Sequence, residues 1–463
     1  MPPFTVLDIV RTTQGALIQG DLAVPVRGVS IDSRTLRVGE AFFAVRGHRL
    51  DGHDYVVEAA ARGASCLIVH HLTDALPGGA PVVLVDETTN ALGRLAAYHR
   101  SRFSIPVVAV TGSNGKTTVK EMIAAVLERR WTVLKPVGSF NNQWGLPLTL
   151  LGLSAGHQAL VVELGASRVG EIASLTELAR PTVGVVTSVS AAHTEFFQNL
   201  EGVQREKASL VRAIPTEGSV VLNWDDPWVR AMAGEARGRV VTVGTGPEAE
   251  VRAAGEIRED HEGLAFTLEI RGQQLPVRLA FSGRHNVVNS LASAGAGIAV
   301  GLSLEEIAGG LEAARPARGR LIWRRAGEIR ILDDTYNANP ASVRAALATL
   351  GAQKEGSVRL LVALGDMLEL GPLAEAAHRE VGRQVATLGV AEFIGMGPLM
   401  RFAVEEALEA GLGESHRSEN AEALVGRLMK RLAPGDTLLV KGSRAMRMER
   451  VVHALVARLG GGE

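Results

Sequence analysis

The residues with the plainest chemistry form one run, Thr111-Gly112-Ser113-Asn114-Gly115-Lys116-Thr117-Thr118. Glycines at 112 and 115 let backbone N–H groups converge on phosphate oxygens with no Cβ in the way. A helix beginning just after them adds the positive end of its dipole. A lysine placed like Lys116 reaches β- and γ-phosphates, and a hydroxyl placed like that of Thr117 coordinates Mg²⁺. The run therefore predicts a nucleoside triphosphate site built from Gly112, Ser113, Asn114, Gly115, Lys116, Thr117 and Thr118. One departure narrows it. The common phosphate loop, G-x-x-x-x-G-K-[ST], would put its first glycine at position 110, where Val110 stands. No strand ends in the Asp that usually accompanies such a loop; the apolar run Leu160-Val161-Val162 ends in Glu163. A phosphate-loop ATPase acting as a motor or switch is thereby disfavoured.

The elements that must hold this loop read as alternating strand and helix. Pro106-Val107-Val108-Ala109-Val110 is a buried-strand pattern, and a helix is expected over 116–130. Further apolar runs at 160–162, 183–189, 220–222 and 240–243 give a parallel, doubly wound sheet. Segment 250–281 reads as an antiparallel addition, followed by helices over 286–300 and 303–314. Before this block, 1–102 has strand-like runs at 41–45, 66–69 and 82–85 and helical patterns at 55–62 and 88–102. After it, a Pro-, Gly- and Arg-rich linker at 315–320 leads to a second open α/β sheet with runs at 329–332, 360–364, 393–395 and 437–440. The expected architecture is α/β with three domains: a small N-terminal α/β domain over 1–102, a central phosphate-loop domain over 103–315 and a Rossmann-like C-terminal domain over 316–463. A chain of 463 residues fits about three domains. With 46% hydrophobic and 21% charged residues it is globular, and a net charge of -1 gives no support to a nucleic-acid or anionic-membrane partner. Cys66 is the only cysteine, which excludes an internal disulfide and fits a reducing compartment. Met1-Pro2-Pro3-Phe4-Thr5 has no basic stretch leading into an apolar one, and no apolar run is long enough to span a membrane. A cytoplasmic monomer is expected.

The variant loop resembles that of the Mur ligases of peptidoglycan synthesis. Other blocks in order carry the same resemblance: 141–147 (NNQWGLP), 163–166 (ELGA), His193, Lys207 and 283–289 (GRHNVVN). It runs over essentially the whole chain. Within the family, the blocks 32–34 (DSR), 39–44 (GEAFFA), 51–54 (DGHD), 333–340 (DDTYNANP) and 364–371 (LGDMLELG) resemble members that add D-alanyl-D-alanine to UDP-N-acetylmuramoyl-tripeptide. Members that add the third amino acid tend to carry Asp-Tyr-Ala-His near Asp334, absent here. They are the nearest alternative; a folate polyglutamate ligase is more remote, because 32–34 would then lack a purpose. Trp144 departs mildly from the small or aliphatic residue usual there.

The resemblance implies ATP and Mg²⁺, with UDP-N-acetylmuramoyl-tripeptide bound by 1–102 and the dipeptide and part of the nucleotide by 316–463. It implies Lys116, Glu163, His193 and Lys207 as catalytic, with Thr117, Glu163, His193 and a CO₂-carbamylated Lys207 around the metal. Read alone, His193 is more simply a capping or core residue and Lys207 an exposed helix lysine. Asn141 and Asn142 are substrate candidates, with a turn as rival. Asn286 and Asn289 lie one helical turn apart and suit nucleotide contacts or helix capping. Asp334, Tyr336, Asn337 and Asn339 follow a strand at its carboxyl end, where open α/β sheets bind ligands. Asn337 and Asn339 would meet adenine or ribose and Tyr336 would stack, unless the segment is a polar turn into a helix at Pro340. Arg320 and Asp366 join this cleft, and Lys441, Ser443 and Arg444 would receive the dipeptide carboxylate or a phosphate. Ser33 and Arg34 would bind uracil or the diphosphate of UDP, with a surface salt bridge as the bland alternative.

Overall fold

The computed structural model describes residues 4–47, 49–72, 78–190, 194–260, 262–354 and 358–460. Each of the three blocks is built around its own sheet. In the first, the strands Gly28–Ser30, Glu40–Phe43, Cys66–Val69 and Val82–Leu84 are parallel, and Ala16–Gln19 closes the edge antiparallel to Val82–Leu84. The helix Thr88–Ser101 leaves this sheet and packs on the central block. Its Leu92 and Leu95 share one apolar core with Leu146, Leu150 and Ile172.

Among the described residues the central sheet has nine strands. Val107–Thr111 lies between Ala159–Glu163 on one side and Val183–Val186 on the other, parallel to both. The chain first builds outward past Ala159–Glu163 to Val133–Leu134, then crosses back to Val183–Val186, Ser219–Asn223 and Arg239–Gly244. The phosphate loop therefore sits at the carboxyl end of a strand where the winding direction reverses, the place at which such sheets bind ligands. Continuous Val, Ile, Leu and Ala runs explain these strands, since both faces are covered by helices and every position is buried. Val251–Asp260, Gly263–Ile270 and Gln273–Leu279 extend the sheet; Val251–Asp260 runs parallel to Arg239–Gly244 and pairs antiparallel with the strand that follows it. The apolar run expected over 183–189 stops as a strand at Val186. From Thr187 on, side chains and backbone turn into the phosphate loop: the Thr187 hydroxyl lies 3.3 Å from the Thr111 carbonyl oxygen, and Ser113 N–H donates to Ser188 O at 2.8 Å.

The third sheet orders its strands Ile322–Ala326, Ile329–Asp334, Thr437–Lys441, Leu360–Gly365, Glu392–Met396 and Ser415–Ser418. All pairs are parallel except the first, a hairpin. Among the described residues no helix is long and apolar enough to cross a membrane.

Candidate active site

The phosphate loop is shaped by two glycines with positive φ, 146° at Gly112 and 81° at Gly115. A Cβ on Gly112 would stand 1.9 Å from the Thr187 hydroxyl, and one on Gly115 would stand 2.5 Å from Asn289 Oδ1. Only glycine fits this packing. The loop is braced by the segment just after the strand Val183–Val186: Ser113 Oγ donates to Ser190 O at 3.1 Å, and Asn114 N–H donates to Ser188 Oγ at 3.1 Å. Thr118 follows in the first turn of the helix Lys116–Leu127.

Lys116 folds back on its own loop, donating to the Gly112 carbonyl at 2.8 Å. Burial pushes its pKa below the usual lysine range; Glu163 opposes the shift and Arg320 adds to it. Thr117 Oγ1 donates to Glu163 Oε2 at 2.9 Å, and Asn141 Nδ2 donates to Glu163 Oε1 at 2.8 Å. The Thr117 hydroxyl and the Glu163 carboxylate are both buried. These are hard oxygen donors beside a phosphate loop, the set Mg²⁺ takes. Lys207 lies on the helix Leu200–Ala213, not exposed but buried. Its pKa falls from 10.5 to about 7, first through burial and then through the neighbouring Lys116 charge, with Glu206 opposing. Glu206 itself is fixed by N–H groups of Gly170 at 2.7 Å and Ile172 at 2.8 Å. His193 lies outside the described residues.

Asn142 takes the turn role: its Oδ1 accepts from Gly145 N–H at 2.9 Å at the head of the helix Gly145–Leu151. Trp144 donates its indole N–H to Thr89 Oγ1 at 3.1 Å, so the substituted position ties this loop to the first block. Asn286 Nδ2 donates to Ser282 O at 2.7 Å, and Asn289 Nδ2 donates to Asn286 Oδ1 at 2.8 Å, which aims Asn289 at Gly115.

The third block meets the loop from the other side. Asn339 caps the helix Pro340–Gly351 and also donates from Nδ2 to Asn114 Oδ1 at 2.8 Å. The Tyr336 hydroxyl bonds to Ser139 Oγ, while the Arg320 guanidinium lies 4.0 Å from the Tyr336 ring centroid. That ring is thus already stacked on a cation. Arg320 Nη2 reaches Thr117 Oγ1 at 3.4 Å. Lys441 Nζ donates to Asp334 Oδ2 at 2.5 Å and to Asn337 O at 2.8 Å in a buried pair; burial lowers the lysine pKa, and Asp334 opposes. Asn337 Oδ1 accepts from the N–H groups of Ala338 at 2.9 Å and Arg444 at 3.3 Å. Ser443 Oγ accepts from Leu368 N–H at 2.9 Å, while the Arg444 guanidinium pairs with Glu449 at 3.3 Å. Asp366 is buried, and its carboxylate accepts from Met400 N–H at 2.8 Å and Leu399 N–H at 3.2 Å at the head of the helix Met400–Glu409.

In the first block Ser33 is buried and donates to Glu58 Oε2 at 3.1 Å, and the exposed Arg34 pairs with Asp32 at 2.7 Å. The side chains at 33 and 34 therefore stand apart from the cluster at the phosphate loop. Lys120 is a buried lysine beside the site that sequence reasoning missed. It is a fully buried lysine one turn beyond Lys116, and its spacing of four was the available signal.

Comparison with known proteins agrees with this arrangement. The Mur ligase middle domain matches residues 110–297, the "Mur ligase, glutamate ligase domain" residues 319–444, and the "Mur ligase family, catalytic domain" residues 25–100. The UDP-N-acetylmuramoyl-tripeptide--D-alanyl-D-alanine ligase of Escherichia coli (strain K12) is 36% identical over 446 residues, covering 95% of this chain and 96% of that protein. A crystal structure of MurF from Acinetobacter baumannii superposes with a TM-score of 0.90 at 32% identity, covering 99% of both chains. MurF ligase from Thermotoga maritima in complex with ADP gives 0.82 at 28% identity over 94% of this chain and 98% of that one. With the main sheets of the three blocks, the variant phosphate loop and the full-length likeness in agreement, the chain belongs to the Mur ligase family.

Proposed function

We propose that this chain uses ATP to join D-alanyl-D-alanine to UDP-N-acetylmuramoyl-tripeptide, giving the pentapeptide with release of ADP and phosphate. The observation that carries the chemistry is the convergence of Lys116, Thr117, Glu163 and Lys207 at the head of one helix. The acceptor assignment rests on the full-length likeness to the E. coli tripeptide ligase.

A carboxylate is a poor electrophile, so it is activated first. A peptide carboxylate oxygen attacks the γ-phosphorus, the bond to the ADP oxygen breaks, and an acyl phosphate forms. The dipeptide amine then attacks the acyl carbon, phosphate leaves, and the amine gives up its proton. Two anions must meet in the first step, so cationic groups must be fixed in advance. Backbone N–H groups of residues 112–118 hold the phosphates. Lys116 exchanges the Gly112 carbonyl for phosphate oxygens, and Arg320 adds charge beside Thr117. Thr117 and Glu163 would hold Mg²⁺, with His193 the further candidate. Bound Mg²⁺ neutralises charge on the phosphates. Lys207, whose pKa falls to about 7, would add through its lone pair to CO₂ and lose a proton to solvent, becoming a carbamate that would offer one more oxygen to the metal. Asn286 and Asn289 brace the loop, and Asp334, Tyr336 and Asn337 form the nucleotide wall. Lys441, Ser443 and Arg444 would receive the dipeptide carboxylate, and Asn141 and Asn339 would stand at the reacting ends, with Asn142 shaping the turn beside them. Ser33 and Arg34 belong to the UDP end, where Arg34 exchanges Asp32 for a phosphate.

This reading takes 1–102, 103–315 and 316–463 as the working units of a cytoplasmic monomer. Phosphate release measured with UDP-N-acetylmuramoyl-tripeptide plus D-alanyl-D-alanine tests it. The expected result is release with that pair and none with UDP-N-acetylmuramoyl-dipeptide plus single amino acids. The reverse would assign the chain to third-residue addition, and release with no acceptor would assign an ATPase.

A further inference from the structure

Lys120 has no part in the chemistry above, yet it is one of the largest fully buried side chains in the protein. An ammonium held away from water must be heavily compensated. Lys120 Nζ donates to Gly138 O at 2.6 Å and Pro136 O at 3.4 Å, and pairs with Glu121 Oε1 at 2.7 Å. Glu121 also holds Lys135 at 2.8 Å, and these two lysines keep its carboxyl below the usual range against the opposing effect of burial. The lysine thus pins both the start and the turn of segment 135–139.

The position of that segment decides where the next residues go. Ser139 meets Tyr336 of the third block. Asn141 donates to Glu163 Oε1, and its own carbonyl accepts from Gly165 N–H at 2.9 Å, just beyond the strand that carries Glu163. Glu163 Oε2 is taken by Thr117, on the same helix as Lys120. The contacts close a ring: helix Lys116–Leu127, Lys120, segment 135–141, Asn141, Glu163, Thr117 and back to the helix.

We propose that Lys120 is a positioning residue for the phosphate and divalent-cation site. It acts through Asn141 to hold the Glu163 carboxylate against Thr117, and it couples that carboxylate to the Ser139–Tyr336 contact between the central and third blocks. This rests on the reading of Thr117 and Glu163 as the Mg²⁺ pair. Groups that orient a metal ligand typically change metal affinity or activity by about 10- to 100-fold when removed.

The test uses the full-length protein and reads binding. ADP is titrated calorimetrically at increasing Mg²⁺ into wild type, Lys120→Met, Asn141→Ala and the double variant. The expected result is that Lys120→Met needs about tenfold more Mg²⁺ to tighten ADP binding, with binding of metal-free ADP little changed. Because Lys120 acts through Asn141, the double variant should lose no more than the larger single loss. Hydrogen exchange should rise in 135–142 and not across the central sheet. A Mg²⁺ requirement equal to wild type, or single losses that add in the double variant, overturns the proposal. Should Lys120→Met fail to fold, Lys120→Gln replaces it; its shorter donor cannot span both carbonyls, so the same rise is expected and its absence is equally decisive. Wild-type ADP binding that ignores Mg²⁺ would overturn the Mg²⁺ reading itself and this proposal with it.

Discussion

Replacing Lys207 with methionine separates a buried, nearly neutral lysine from an ordinary structural one. The Lys207 pKa falls from 10.5 to about 7, chiefly because burial disfavours the charged form and secondly because Lys116 is close. That fall corresponds to roughly 5 kcal/mol as an upper bound. The unfolded chain holds its proton up to about pH 10.5, whereas the folded chain gives it up near pH 7. Below pH 7 the fold must therefore carry a buried charge and bears the full cost. Between pH 7 and 10.5 the unfolded state binds more protons, so this group's cost fades as pH rises. Between pH 6 and pH 9 the change is roughly 2–3 kcal/mol. Methionine fills similar volume without the charge, so Lys207→Met should melt higher than wild type at pH 6, and that advantage should shrink at pH 9. At about 2–4 °C per kcal/mol for a unit of this size, the advantage should narrow by roughly 5–10 °C. Scanning calorimetry of both proteins in CO₂-free buffer measures it. In ¹³C-bicarbonate at pH 8 the wild type should show a carbamate carbon resonance that the variant lacks, and the variant should lose turnover. A melting difference that does not change with pH would refute the buried-neutral-lysine reasoning, and a wild type without the resonance would refute the carbamate.

Gly112→Ala should weaken ADP binding at least tenfold by calorimetry, because its Cβ would stand 1.9 Å from the Thr187 hydroxyl at a φ of 146°. Glu163→Gln keeps the size of the side chain but removes its charge beside Thr117, and should lower turnover by about 100- to 1000-fold in a phosphate-release assay with little change in melting temperature. Lys441→Met leaves the Asp334 carboxylate buried without its 2.5 Å partner, a change that typically costs about 3–5 kcal/mol. Urea unfolding should show that loss, and Lys441→Met combined with Asp334→Asn should recover part of it. Asn339→Ala removes both a helix cap and the bond to Asn114. It should cost about 1 kcal/mol of stability and, in small-angle scattering, give a more extended molecule than wild type.

Continuous apolar runs made most of the buried parallel strands legible, because a strand covered on both faces has few places for polar residues. The hairpin strand Ile322–Ala326 was not legible for the converse reason: at a sheet edge Trp323 and Arg324 are only partly buried and Arg325 is exposed, and their polarity hides the pattern. The same contrast divides the site. Gly112 and Lys116 could be read because phosphate binding fixes both residue type and spacing along one stretch of chain. Lys207 and Lys120 could not be placed, since an amphipathic helix presents a lysine to solvent or to the core according to what packs on it, and here both are buried, one within reach of the Lys116 charge and the other against segment 135–138. Asp366 shows the opposite case: a carboxylate at the end of a strand has the right type and place for a ligand site, yet sequence gives no sign that the N–H groups of Leu399 and Met400 also bind it. Local sequence identifies a catalytic group when the chemistry is done by backbone and neighbours, and loses it when the group's role depends on a partner tens of residues away. For that reason the metal-side carboxylate Glu163, held between Thr117 and Asn141 from two other elements, is the position at which substitution reports on the assembled site and not on any one strand or helix.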